Sequence, residues 1–544
     1  TAFHRNTMTQ NEGGTSDEEF RNAAVIDRVN TTYAVFMGTT MACAQCHTHK
    51  YDPITITEYF RSYALFNQSA DSDKADERPT MEVIAREQKI VRDALQQRLT
   101  QADAVLAQTK PAWLTGFDAW LNTKAAIPEK KVAAVFALPK DKRTAAQVKQ
   151  LQDYYVRNVA PESKTERESA AQLRKQLAEF KPPTVPVMQE LPTDKQRKTF
   201  VQLRGNWQAL GDEVTANVPA AWHATPTKAT LDRLGFAEWL VSPKNPLTAR
   251  VQVNRLWETV FGVGIVRSSE EFGSQGDLPV HPELLDWLAG EYVRSGWDTK
   301  HMLRLMFTSR AYRQTSASNP TINERDPDNR LLARGPRFRP PGELLRDQAL
   351  AVAGLLSSKM YGPPVRPMRP ASGLSAAFGG SNDWSTSTGE DAHRRSVYTD
   401  TRRNSPYPSF ATFDAPNRET CTLRRDRSNT PLQAFVTLND PVFVEASQGL
   451  ARRLLKEGPA DTAGRLQLAF RLCVARAADA HELKALETLL QRSLATYRAD
   501  PALATKMATQ PLGPANKGAD LAELAAWTAV AGVMMNLDEF LMRR

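Results

Sequence analysis

Cysteine is scarce in this chain: four residues in 544. That is too few to staple a secreted fold with disulfides. Cys421 and Cys473 stand far apart and isolated, and they read as two buried free thiols rather than a bridge. Long apolar runs are missing too. No stretch approaches the ~18 uninterrupted apolar residues of a membrane helix, so the chain reads as not membrane-spanning. The most apolar late run, Leu524 to Met535, reads as a buried helix. The chain opens at Thr1 without a methionine or a charged-then-apolar leader. The expectation is either a removed signal peptide or a fragment of a longer precursor. A P-loop, a dinucleotide-binding glycine pattern, a Ser-His-Asp arrangement and an internal repeat are all absent from the sequence. The net charge of +9 is modest over this length and forms no basic stripe, which excludes nucleic acid but not weak attraction to polyanions.

What remains is an ordinary globular composition, 41% hydrophobic and 24% charged, long enough for two or three domains. The patterning predicts a mainly α, multi-helical fold. Ser16-Asp17-Glu18-Glu19 is a capping-box pattern opening a helix that carries Phe20, Val25, Val29, Tyr33 and Phe36 and ends at Gly38. Asp52-Pro53 makes a turn, and Thr57 reads as the N-cap of a helix carrying Tyr59, Phe60, Tyr63 and Phe66. From about Met81 to Glu179 the chain is rich in Glu, Gln, Lys, Arg and Ala. Ile84, Ile90, Val91, Leu95, Leu99 and Leu106 form an apolar stripe on a long helix there, and further helices cover 145–159 and 166–180. These helical hairpins read as a spacer or partner surface. Lys181-Pro182-Pro183 breaks the pattern, and 185–191 with 199–204 read as short strands of a small β-sheet near 184–206. Helical patterns return from 229, at 231–240, 247–261, 282–295 and 299–311. The stretch 361–417, dense in Pro, Gly, Ser and Asn, reads as long irregular loops. Helices resume at Pro431.

Between the first two helices lies Cys43-Ala44-Gln45-Cys46-His47, a C-x-x-C-H that holds two of the four cysteines. The spacing suits covalent haem attachment. Two thiols can add across the two vinyl groups of a haem, and the imidazole of His47 becomes an axial ligand of the iron. The aromatic helices on either side are expected to wall the porphyrin. The rival is a zinc site, with His49 joining Cys43, Cys46 and His47. Four ligands within seven residues are tighter than the usual two-plus-two zinc layout, and no second C-x-x-C exists. His49 otherwise reads as a polar loop residue or, with Lys50, a propionate neighbour. His4 and Met8 are the distal candidates freest to fold across, with Met37 and Met41 also near in sequence. Asn11-Glu12-Gly13-Gly14 reads as a compact surface turn.

A second concentration of chemistry lies between His393 and Asp440. It holds Arg394, Arg395, Arg402, Arg403, Arg418, Arg424, Arg425 and Arg427, interleaved with Asp400, Asp414 and Asp426 and with Tyr398, Tyr407, Phe410 and Phe413. Forked guanidiniums bind carboxylate, sulfate or phosphate bidentately. Arg394, Arg395, Arg424, Arg425 and Arg427 are therefore candidates for an anionic-ligand site, against the alternative of an internal salt-bridge network. His281 opens a helix with Pro282 in its first turn and reads as a capping or buried residue.

Taken together, several segments carry a family resemblance. Phe3-His4-Arg5-Asn6, Asn11 to Gly14, Val25-Ile26-Asp27-Arg28-Val29 and the run Cys43 to Pro53 resemble the end of the planctomycete-specific cytochrome domain. From about Leu231 the chain resembles the planctomycete-specific domain commonly fused after it, a family of unknown function. Val253 to Trp257, His281 to Leu288, Thr308 to Arg313, Asp326 to Arg330, Phe413 to Pro416, Arg427 to Gln433 and Asn536 to Phe540 carry that likeness. The resemblance, joined to the helical and strand patterns above for the two middle segments, divides the chain into four: a c-type cytochrome-like segment at 1–75, a helical insert at 76–183, a small β-containing linker at 184–228 and the helical domain at 229–544. It also implies covalent haem c, export to the periplasm or cell surface, and an electron-transfer partner or second haem domain. It supplies no established reaction. Besides electron transfer, a haem-dependent oxidoreductase acting on carbohydrate and a zinc-stabilised binding module stay open. Polysaccharide or another anionic ligand is an expected partner.

Overall fold

In the computed structural model 57% of the residues are helical, and the sheets among the described residues are two small two-stranded ones. The mainly α expectation holds. The structure describes residues 2–7, 16–71, 78–123, 125–224, 231–370, 384–402, 405–418 and 420–543. Met8, the turn Asn11 to Gly14, Arg403 and part of the 361–417 segment lie outside the described residues. Among those residues no helix is long and apolar enough to cross a membrane. Contacts divide the chain into two compact units, one of residues 1–21 and 69–195 and the other of 22–68 and 196–544.

In the smaller unit the helix Arg86–Ala107 packs on Lys164–Glu179 and Ala145–Asn158. The expected apolar stripe on the first helix is only partly used: Leu106 is buried, whereas Ile90 and Val91 are exposed. Helical geometry explains Ile90 but not Val91, which stands four residues before Leu95 on the same face. Leu95, Leu99 and Leu106 recur at steps of four and seven and keep one face, while Ile90 falls on the opposite side at about 100° per residue. Trp113, Phe117, Trp120 and Tyr155 fill the interior, with Phe117 edge-on to Tyr155 at 5.6 Å. A two-stranded neck closes the segment: β1 (Thr80–Glu82) pairs antiparallel with β2 (Thr184–Pro186), Glu82 opposite Thr184. The single small sheet expected near 184–206 therefore resolves into two, because β2 finds its partner upstream of the helices and not at 199–202.

In the larger unit the helix Leu521–Met535 is the central element, packed by Pro441–Glu457, Ala480–Ala499 and Pro501–Thr509. It is apolar on every side, as a helix surrounded by others must be, and Trp527 is 1% exposed. A second cluster joins Thr248–Phe261, Pro282–Arg294 and Thr299–Thr308 around Val253, Leu285 and Met302. Asn254, fully buried, accepts from the Val266 amide at 2.8 Å and donates to the Val266 carbonyl at 2.9 Å, fixing the loop after its helix. The described part of 361–417 holds only short turns such as Gly389–His393, Ser396–Tyr398 and Pro408–Thr412.

The remaining part of this unit carries the cysteine motif. Helix α1 (Asp17–Met37) and helix α2 (Ile56–Asn67) flank it, and β3 (Thr199–Gln202) pairs antiparallel with β4 (Leu210–Val214) beside α2. Thr55, not Thr57, caps α2. Its hydroxyl accepts from the Glu58 amide at 3.2 Å while Glu58 accepts from the Thr55 amide at 2.9 Å, a reciprocal pairing that needs the acid three residues after the cap. The tyrosine side chains of the two helices are buried between them, and Tyr59 lies near enough to Cys46 to feel its charge. Tyr33 and Phe66 lie against Phe236 at 5.7 and 6.0 Å, and Tyr59, Phe60 and Tyr63 are buried. The phenols explain the orientation, because each is satisfied in the α1–α2 layer. Tyr33 pairs with Ser62 at 2.9 Å, Tyr59 donates to Asn30 at 3.2 Å and Tyr63 donates to Asn22 at 2.8 Å.

Candidate functional site

Helix α1 ends on Gly38 at φ +57, the left-handed stop that glycine adopts without strain. A Cβ there would stand 2.9 Å from the Phe272 ring. The Gly38 carbonyl accepts from the Phe272 amide at 2.6 Å, and Thr40 donates to Glu271 at 2.8 Å. The chain then enters a 3₁₀ turn, Met41–Gln45, with Cys46 at its end. A 3₁₀ helix eclipses residues three apart. Met41 and Ala44 accordingly face the core, while Cys43 and Cys46 are both exposed free thiols. The x-x spacing thus puts two sulfurs on one open side of a turn anchored by its other side.

His47 follows, exposed, with Nδ1 2.7 Å from the Thr48 carbonyl oxygen. A carbonyl there holds the proton on Nδ1 and leaves the Nε2 lone pair outward. His49 behaves differently. Its ring is buried, and Nδ1 accepts from the amides of Asp52 at 2.8 Å and Tyr51 at 3.3 Å. It therefore organises the Asp52-Pro53 turn and does not join the two thiols. Among the described residues no three His, Cys, Asp or Glu side chains converge as a metal-binding group. Asp52 in turn accepts from the Ser274 amide at 2.9 Å. Gly205, at φ +72 in the β3–β4 connection, sits against Cys46; a Cβ there would stand 2.7 Å from its sulfur. Leu203 and Leu210 on the same hairpin are 51% and 55% exposed, apolar surface beside the motif.

The electrostatics near the motif are set by burial. It pushes the Tyr33 and Tyr59 phenols well above their ordinary value. Glu58 is also raised by burial, but the Ala220 and Thr55 amides and the Thr55 hydroxyl outweigh that, and its carboxyl lies below the usual range.

The distal candidates fare unevenly. Met37 and Met41 are 0% and 1% exposed, packed in the core. His4 lies on the short turn Ala2–Arg5 of the smaller unit, its ring edge-on to Phe3 at 4.9 Å. Met8 lies outside the described residues.

The arginine segment splits in two. Arg394 is buried, donating to the carbonyls of Tyr361 and Pro363 and stacking 3.9 Å from the Tyr398 ring centre. Arg395 faces Asp347 at 3.6 Å. Arg424, Arg425 and Arg427 instead line a cavity of about 280 Å³ beside the helix Thr248–Phe261. Two further arginines complete it, Arg255 and Arg339. The sequence reading missed them because neither lies in the 393–440 cluster. Cys421 is exposed rather than buried, since its segment runs along the surface near Thr31 and Arg255; Cys473 is buried, which pushes its thiol up to about 12. His281 occupies the N-cap position of Pro282–Arg294, with its ring 2.9 Å from the Arg330 carbonyl oxygen.

Two family models match this chain. Residues 1–71, which include the cysteine motif, match PSCyt2, a protein of unknown function (DUF1549). Residues 232–490, which include the arginine cavity, match PSD1, a protein of unknown function (DUF1553). The chain carries both domains. No curated protein and no solved structure matches it. The PSCyt2 match ends at Asp71, just past α2, and the PSD1 match opens at Asp232, whose side chain caps the helix Arg233–Leu240 by accepting from the Gly235 amide at 2.7 Å.

Proposed function

We propose that Cys43 and Cys46 carry a covalently attached haem with His47 as axial ligand. On this reading the chain is an exported c-type haem protein, periplasmic or at the cell surface. It exchanges electrons with a redox partner or a second haem domain, and its PSD1 domain serves as a binding module. The observation that supports this most is the 3₁₀ turn, which presents both thiols on one open side with the His47 Nε2 free immediately after them. A bound haem supplies one-electron transfer at its iron. The chain's own residues do the holding: the thiols tether, the Thr48 carbonyl sets the His47 tautomer, and His49 with Asp52 keeps the following turn rigid. Leu203 and Leu210 offer apolar cover from the hairpin.

The test is export of the chain in a host that matures c-type cytochromes, followed by intact mass and absorption spectroscopy after denaturation. One haem mass and a Soret band are expected, and both should vanish in the Cys43→Ser, Cys46→Ser double variant. A matured chain with neither signal overturns the proposal, and stoichiometric bound zinc would put the binding-module reading in its place. A second use of the same site is a haem-dependent oxidoreductase acting on carbohydrate with an open iron position; the burial of Met37 and Met41 takes those two away as distal ligands. A high-spin spectrum points to that use; a low-spin spectrum points to electron transfer.

A further inference from the structure

The cavity beside Thr248–Phe261 gathers five guanidiniums. Arg255, Arg339, Arg424, Arg425 and Arg427 line it against three carboxylates, Glu258, Asp414 and Asp426. Three of the guanidiniums have counter-charges: Arg339 binds Asp414, Arg425 binds Glu343 at 2.9 Å and Arg424 approaches Glu270 at 3.5 Å. Arg255 and Arg427 have no carboxylate within ion-pair distance among the described residues; Glu258 acts on both from farther off, and Glu270 on Arg255 as well. Arg255 donates to the carbonyls of Ala34 and Val35, and Arg427 donates to the Gly262 carbonyl at 2.5 Å while lying 4.7 Å over the Phe338 ring. Burial pulls both of these guanidiniums below their ordinary values.

A second observation is independent of the charge count. Arg339 is 6% exposed, and its Nε–H has no hydrogen-bond partner although its terminal nitrogens bind Gln433 and Asp414. The Arg255 Nε–H is likewise buried and unpartnered. The same buried Nε–H recurs on Arg346 and Arg394 outside the cavity, so it is the clustering of guanidiniums around one cavity, which an anion with several acceptor oxygens bridges, that points to a ligand. We infer that this cavity binds a small oxyanionic group, the phosphate, sulfate or carboxylate of a compact molecule, held between Arg255, Arg339 and Arg427 with Arg424 and Arg425 at its mouth. The volume of about 280 Å³ suits such a ligand: at ~30 Å³ per water it holds about nine waters or one small acid. Arg394 and Arg395 are not among its lining residues, so the site is narrower at one end of the arginine segment and broader at the other than the 393–440 cluster implied. The inference stands apart from the haem reading, since no residue of the motif takes part.

Calorimetric titration of the full chain with inorganic phosphate, inorganic sulfate and glucuronate, and with glucose as the neutral control, tests this. Saturable one-to-one binding is expected for at least one of the three anions and none for glucose; the preferred anion identifies the source of the oxyanion. Arg427→Gln should weaken that binding about tenfold or more, the scale of a lost charge-assisted hydrogen bond, whereas Arg395→Gln should leave it unchanged. If Arg427→Gln does not fold, Arg424→Gln at the mouth takes its place, with a several-fold loss expected. Absence of saturable binding by all three anions overturns the inference. So does equal weakening by Arg395→Gln and the cavity variant.

Discussion

The cysteine turn and the arginine cavity belong to the same unit but are held in opposite ways. The turn leaves its reactive atoms in solvent and buries their neighbours, Met41 and Ala44. Its geometry is local, set by one 3₁₀ turn between two helices. The cavity buries the charged atoms themselves. Arg339 is gripped by Gln433 and Asp414 and lies 5.2 Å over the Phe413 ring, contacts far apart in sequence. Chemistry and stability are therefore separable at the turn and bound together at the cavity.

That contrast can be broken by stability measurements. Arg339→Ala should have the largest effect, about 3 kcal/mol in urea denaturation, because it removes the buried cation that Asp414 and the Gln433 carbonyl both face and leaves Asp414 only its Ser428 donors. Acid should act next. Burial raises Asp414, but its bonds to Ser428 and Arg339 outweigh that and leave its carboxyl below the usual range, as Glu58 is by its own partners. Folded pKa values below the unfolded ones mean stability that is complete above the unfolded carboxylate value of about 4 and is lost as pH falls through the folded values. The urea midpoint should drop below about pH 4, and less steeply in Asp414→Asn and Glu58→Gln. The smallest effect belongs to the turn. Cys43→Ser with Cys46→Ser, in the chain without haem, should change stability by no more than about 0.5 kcal/mol. A loss there as large as that of Arg339→Ala would erase the distinction between the two regions.

The same contrast explains what sequence reading reached. The helices at Thr248–Phe261 and Pro282–Arg294 were legible because their apolar faces repeat within the element itself. The C-x-x-C-H was legible because its spacing matches the turn that carries it. Three features were not, and each depends on a distant partner. The inward turn of Tyr59 and Tyr63 depends on Asn30 and Asn22 of α1. The pairing of β2 depends on a strand about a hundred residues upstream, beyond any local signal. Arg255 and Arg339 acquire their meaning only where the fold brings them to Arg427. One error was avoidable. Thr55 and Glu58 stand at capping-box spacing in plain view, and Thr57 has no acid three residues on.

The neck of the smaller unit has a consequence in terms of gene architecture. Antiparallel register sets Glu82 opposite Thr184, backbone positions only about 5 Å apart, a gap that a two-residue turn closes. Among the described residues, the apolar clusters of that unit draw their side chains from between Leu99 and Ala170. The stretch between the strands thus brings its own interior and leaves through the door by which it enters. It is a cassette: a segment that insertion can add, and excision remove, without asking any other residue of its unit to repack a core.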